Sequence, residues 1–164
     1  MMETMASSIP NPNQQIFCAV RREYVAAGPE ELVRQKLISY LIHTLQFPAS
    51  HIVVEKSLKQ MPHVALTDQQ IPDRRADIVC YAKGIHPQHD LYPLLLIECK
   101  AIKLSAKVVN QVAGYNHFLK SYFIAIANPD EIQMGWWDST AQKYQFIDYI
   151  PVYAELMAKI GLLS

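Results

Sequence analysis

Ile97-Glu98-Cys99-Lys100 closes an apolar run with a carboxylate and an amine two residues apart. Side chains alternate along a strand, so Glu98 and Lys100 share a face, after Leu94 and Leu96. Burying such a pair costs more than it gains unless other polar groups complete the site. Asp77 lies in the preceding run, Arg74-Arg75-Ala76-Asp77-Ile78-Val79. If the two runs form a hairpin, Asp77 and Glu98 lie side by side. Carboxylates that close repel each other and favour a cation between them. On that reading Asp77→Asn relieves repulsion. Hard oxygen ligands favour Mg2+ or Mn2+ over zinc. Such an ion lowers the pKa of a bound water and neutralises charge on a phosphate. Lys100 then orients that water or stabilises the transition state.

These residues need elements to carry them. Gly28-Pro29 opens a helix, because proline at the first helical position gives up no needed N–H. Glu30 and Glu31 suit the positive end of its dipole. Val33, Leu37 and Leu41 recur at helical spacing until Phe47-Pro48 ends the segment. Ile52 to Leu58 reads as a strand, Gln60 to Asp73 as a loop, and Arg75 to Ala82 as a second strand. Gly84 to Asp90 reads as a turn. Pro93 to Ala101 is apolar enough for a central strand covered on both faces. Leu104 to Leu119 reads as a helix and Tyr122 to Ala127 as a strand. A hairpin over Ile132 to Ile147 and a helix opened by Pro151 complete the chain. The fold class is α/β, a mixed sheet in one domain. Residues 1–19 are expected to be a loose arm and residues 20–164 the domain, with Ile16 to Val25 a short strand or an arm packed on the core.

The chain has 164 residues, enough for one domain with a real core. Fifteen lysines and arginines balance fifteen aspartates and glutamates. That balance argues against a constitutive, high-affinity nucleic-acid binder, though not against a local basic groove. Cys18, Cys80 and Cys99 match no zinc spacing, and reduced, buried thiols of a cytosolic protein are expected. No leader pattern is visible, and the longest apolar run is too short to cross a membrane. The expected location is cytoplasmic.

Asp77 followed by Glu98-Cys99-Lys100 resembles the D…(D/E)xK core of PD-(D/E)xK nucleases. Pro29-Glu30-Glu31-Leu32-Val33-Arg34-Gln35, Arg74 to Val79 and Ile97 to Ala101 together resemble the N-terminal nuclease domain of type I restriction enzyme R subunits. The resemblance spans roughly residues 20–130. It implies a restriction-endonuclease-like mixed sheet flanked by helices, here with a C-terminal hairpin and helix. It implies Mg2+-dependent cleavage of DNA phosphodiesters, with Asp77, Glu98 and Lys100 catalytic and the two carboxylates as metal ligands. It also implies an acid on the first helix. Glu30 is preferred, because it continues the stripe of Val33 and Leu37, with Glu31 as the alternative. A Gln and a Tyr four apart on the helix after the core are matched by Gln111 and Tyr115, on the stripe of Leu104 and Val108. A glutamine on an inward stripe needs hydrogen-bond partners, which a metal-site carboxylate or a phosphate supplies. Tyr115 and Arg75 are the substrate-binding candidates. Arg74 and Arg75 read as phosphate clamps or a solvated strand entry, one of them taken as solvated.

The chain departs from the family at Ala76, where a proline usually precedes the aspartate. It carries no G-x-x-x-x-G-K-[ST] loop, so no ATP is expected. His86 and His89 read as surface histidines, and adjacent Trp136 and Trp137 must face opposite ways in a strand. DNA is the expected partner, alongside a homodimer or a partner subunit. Two rival readings are a nucleic-acid-binding module that does not cleave and a protein-interaction module on the same fold.

Overall fold

The computed structural model describes residues 13–65 and 70–163. An N-terminal hairpin, β1 (Gln15–Cys18) and β2 (Glu23–Ala26), leads into helix α1 (Pro29–His43). Strand β3 (Ile52–Ser57) and the short helix α2 (Pro62–Ala65) precede the long strands β4 (Arg75–His86) and β5 (His89–Cys99). Helix α3 (Ala106–Leu119), strands β6 (Phe123–Ala127), β7 (Ile132–Asp138) and β8 (Lys143–Ile147), and helix α4 (Tyr153–Leu163) follow. The stretch Ile16 to Val25 thus takes the strand form, paired as a hairpin, and its Cys18 is fully buried. Most of the expected loose arm lies outside the described residues.

Strands β3 to β8 form one six-stranded sheet in sequence order. All neighbours are antiparallel except β5 and β6, which α3 joins by a crossover. A parallel pair requires such a connection, because no tight turn can join parallel strands. Helix α1 lies on one face, where Val33, Leu37, Ile38 and Leu41 cover Ile78, Cys80, Leu95 and Ile97. Leu156 of α4 joins the same cluster. Helix α3 covers the other face, with Val108, Val112 and Leu119 against Val79, Leu96, Ile124 and Ile126. Two covered faces explain why Leu94 to Ile97 is apolar at every position and fully buried.

Two local features depart from simple strand reading. The expected turn over Gly84 to Asp90 shrinks to the link between His86 and His89, which still pair. Gly84 adopts φ +71 where the register shifts, a conformation that glycine takes without strain and that lets the ladder continue. A second shift pairs Cys80 with Leu95 and Tyr81 with Pro93, leaving Leu94 as the extra residue. Leu94 therefore packs with the α1 cluster and Leu96 with the α3 cluster, not on one face as alternation predicts.

Candidate active site

The β4–β5 ladder pairs Ile78 with Ile97, and no pair is formed further toward Cys99. There the strands part, because β5 turns to its parallel neighbour and the Lys100 N–H donates to the Ala127 carbonyl at 2.8 Å. Parting would leave the Cys99 N–H without a ladder partner inside the protein. The Asp77 carboxylate takes its place, accepting from Cys99 N at 2.8 Å through Oδ2. Asp77 is thus drawn to the end of β5, where Glu98 and Lys100 emerge. Lys100 Nζ lies 3.4 Å from Glu98 Oε1. The Asp77 charge acts on Glu98 across the parting of the two strands.

Electrostatics at this point is dominated by desolvation. Glu98 is 6 % exposed. Burial pushes its pKa up, the neighbouring Asp77 charge adds to that, and Lys100 pulls the other way, leaving it at about 7. Glu98 Oε2 is buried and has no hydrogen-bond partner. A carboxylate oxygen in that condition is costly unless a proton or a cation meets it.

A second layer stands behind Asp77. Its Oδ1 accepts from Arg34 Nη2 at 2.9 Å. Arg34 Nη1 donates to both Glu31 oxygens at 3.0 Å, and Glu55 lies 3.3 Å from Arg34. Arg21, from the turn after β1, pairs with Glu31 and with Glu55. Burial works against the Arg34 charge, but Asp77 and Glu31 outweigh it and hold its pKa above the ordinary value. Burial likewise opposes the Glu31 charge, and Arg21 and Arg34 overcome it, lowering that pKa. Glu55 joins this layer from a place in β3 where the ladder skips from Val54 to Lys56 and its own φ is +50.

The structure therefore brings Asp77, Glu98 and Lys100 together as the residue pattern suggests. Of the two helix acids, Glu31 is bonded to Arg34 and so joins the Asp77 network. Glu30 is exposed at the helix start, near enough for its charge to act on Cys99 beside Glu98. Gln111 Nε2 donates to the Tyr115 hydroxyl at 3.3 Å, one turn along α3. Arg74, not Arg75, stacks on the Tyr115 ring, its guanidinium 5.1 Å from the centroid. Arg75 is exposed at the start of β4 and pairs in the ladder with Ser57. Arg34 and Glu55 carry no recognisable motif role. The available signal is an arginine on the stripe of Ile38 and Leu41, where an apolar residue is usual.

Among the described residues no group of three or more His, Cys, Asp or Glu side chains is placed to hold a metal ion. Asp77 and Glu98 offer two. His86 stacks on Tyr92 at 4.3 Å, with His89 beside it, so these rings pack rather than ligate. Trp136 packs against the core and Trp137 is about half exposed, as the alternation requires. All three cysteines are free and buried. A cavity of about 840 Å3 lies between α1, Ala101, the end of β6 with the loop to β7, and the segment before α4. Leu32, Tyr40, Ala101, Asn128 and Tyr149 line it.

A mixed sheet whose central strands part around an acidic pair and a lysine is a restriction-endonuclease-like domain. The family model for the type I restriction enzyme R protein N terminus matches residues 29–151, and the chain belongs to that family. The match runs beyond the resemblance read from motifs and takes in the C-terminal hairpin. No curated protein and no solved structure matches the chain.

Proposed function

We propose that this domain hydrolyses DNA phosphodiesters with a bound Mg2+ or Mn2+, as the nuclease module of a restriction-type assembly or alone. The observation that carries the reading is Glu98: its buried Oε2 has no partner, beside a second carboxylate and a lysine. A divalent cation is the partner that chemistry fits, with Asp77 and Glu98 as its protein ligands and solvent or phosphate oxygens completing the shell. When bound, the ion supplies charge neutralisation at the phosphate and a more acidic water.

The chain's own residues have separable tasks. Glu98 and Asp77 hold two negative charges in place and, without the cation, share a proton. Lys100 presents its ammonium beside Glu98, where negative charge develops on the phosphate during attack. Gln111 and Tyr115, joined to each other, offer an amide and a hydroxyl to the DNA backbone. Arg74, stacked on Tyr115, and the exposed Arg75 supply phosphate contacts. The DNA partner and the larger assembly are inferred from the family, and cytoplasmic location from three free thiols. Among the described residues no helix is long and apolar enough to cross a membrane.

Cleavage of supercoiled, linear and single-stranded DNA, and of RNA, tests this with Mg2+ or Mn2+ and no ATP. Wild type should cut, EDTA should stop it, and Lys100→Ala should lose at least ~100-fold. Equal activity in wild type and Lys100→Ala would assign the cutting to a contaminant. Salt-sensitive binding without cutting would favour the non-cleaving rival.

A further inference from the structure

We infer that Arg34 is the positioning residue of this site: its guanidinium fork, braced by Glu31, sets the direction of the Asp77 carboxylate. The inference rests on the reading of Asp77 as a working carboxylate. Asp77 is held from two sides, Oδ1 by Arg34 Nη2 at 2.9 Å and Oδ2 by the Cys99 N–H at 2.8 Å. One contact alone would let the carboxylate turn about its bond to the chain. Two contacts from different elements, α1 and β5, fix both its place and its plane.

Arg34 is itself held at both ends of its fork. Nη1 meets both Glu31 oxygens at 3.0 Å and lies 3.3 Å from Glu55, while the buried Nε has no partner. Glu31 is held in turn by Arg21 and, at 3.3 Å, by Gln35. A planar guanidinium with two ends occupied transmits direction, which a single ammonium cannot. At 5 % exposure Arg34 does not present itself to a DNA strand, so its action passes through Asp77. The brace also gives the N-terminal hairpin a function. Arg21 lies before the family-matched residues, yet it clamps the acid that clamps Arg34.

The test compares wild type with Arg34→Lys, which keeps the charge and removes the fork, and with Arg34→Gln. Two readouts are needed. In 1H–15N spectra the Cys99 amide reports the bond to Asp77 directly. It should move in both variants while the Leu95 amide, deep in the ladder, stays in place. In cleavage assays kcat should fall about 100-fold, the scale of a misplacement near 1 Å, with KM for DNA unchanged. A Cys99 amide at its wild-type position, or an unchanged kcat in an active protein, overturns the inference. Wild type that cuts nothing defeats the nuclease reading, and the Cys99 amide still decides the positioning claim. If neither Arg34 variant folds, Glu31→Gln loosens the brace from behind, and the same amide gives the answer.

Discussion

At the residue scale, Glu98 is placed under opposing demands. Its fold keeps water out, its neighbour is another carboxylate, and its one cation is Lys100. In metal-free protein the folded state keeps a proton that the unfolded chain gives up from about pH 4.5. The sign follows: the folded state binds more protons than the unfolded chain between that pH and about 7. This contribution is fully present below the lower value and is lost as pH rises through the upper one. Its size is on the order of 3 kcal/mol. Denaturant unfolding in EDTA across this range should show the loss, and Glu98→Gln should flatten it; an equal slope in both proteins would contradict the assignment. Asp77→Asn is a second case. Sequence reasoning expects stabilisation from relieved repulsion. The contacts argue for the opposite sign, because Asp77 carries a charged bond to Arg34 as well as one from Cys99. Metal-free Asp77→Asn should lose about 1.5–3 kcal/mol. Its calorimetric Mn2+ signal should vanish; retained binding would remove Asp77 from the ligand set.

At the element scale, most strands and helices follow from periodicity, and the exceptions share a cause. A bulge adds one residue and inverts every inside–outside assignment beyond it. That is why Leu94 changes face and why the turn after β4 is shorter than its residues suggest. The same close fit appears at β7. A Cβ on Gly135 would lie 2.7 Å from Phe146 Cε1 and 2.8 Å from the Gln145 carbonyl. The backbone oxygen cannot swing aside as a side chain can, so Gly135→Ala must push β8 away. It should cost about 1–3 kcal/mol in thermal or denaturant unfolding. An unchanged midpoint would show that the β7–β8 edge is slack. Helix α1 shows the limit of stripe reading. Val33 and Leu37 face the sheet as their spacing requires, and that stripe points to Glu30. The polar site lies along the neighbouring stripe of Glu31 and Arg34, which periodicity in apolar residues does not mark.

At the scale of the whole molecule, a neutral chain has to approach a polyanion. Equal numbers of acidic and basic side chains leave attraction to local groups such as Arg74, Arg75 and Lys100. Three phosphate contacts correspond to a slope of about −3 in log affinity against log salt concentration. Binding titrations of the Lys100→Ala protein, which keeps Arg74 and Arg75 and should still bind but not cut, are expected to show a slope of about −2. A slope near −10 would imply a basic surface that the sequence does not have.

Some properties of this protein are already contained in its residue order. The D…ExK spacing, the long apolar run and the helix-opening Gly-Pro depend only on local geometry and alternation, so they identify the α/β sheet and the Asp77, Glu98 and Lys100 set. The family's motifs lie within single elements, and so they too can be read without coordinates. Other properties depend on how elements meet. The stacking of Arg74 on Tyr115 and the entire Arg21–Glu31–Arg34–Glu55 brace join segments far apart in the chain. No spacing rule links Arg34 to Asp77, 43 positions away. Only the packing of α1 on the sheet, and the parting of β4 from β5 beneath it, brings that guanidinium to that carboxylate.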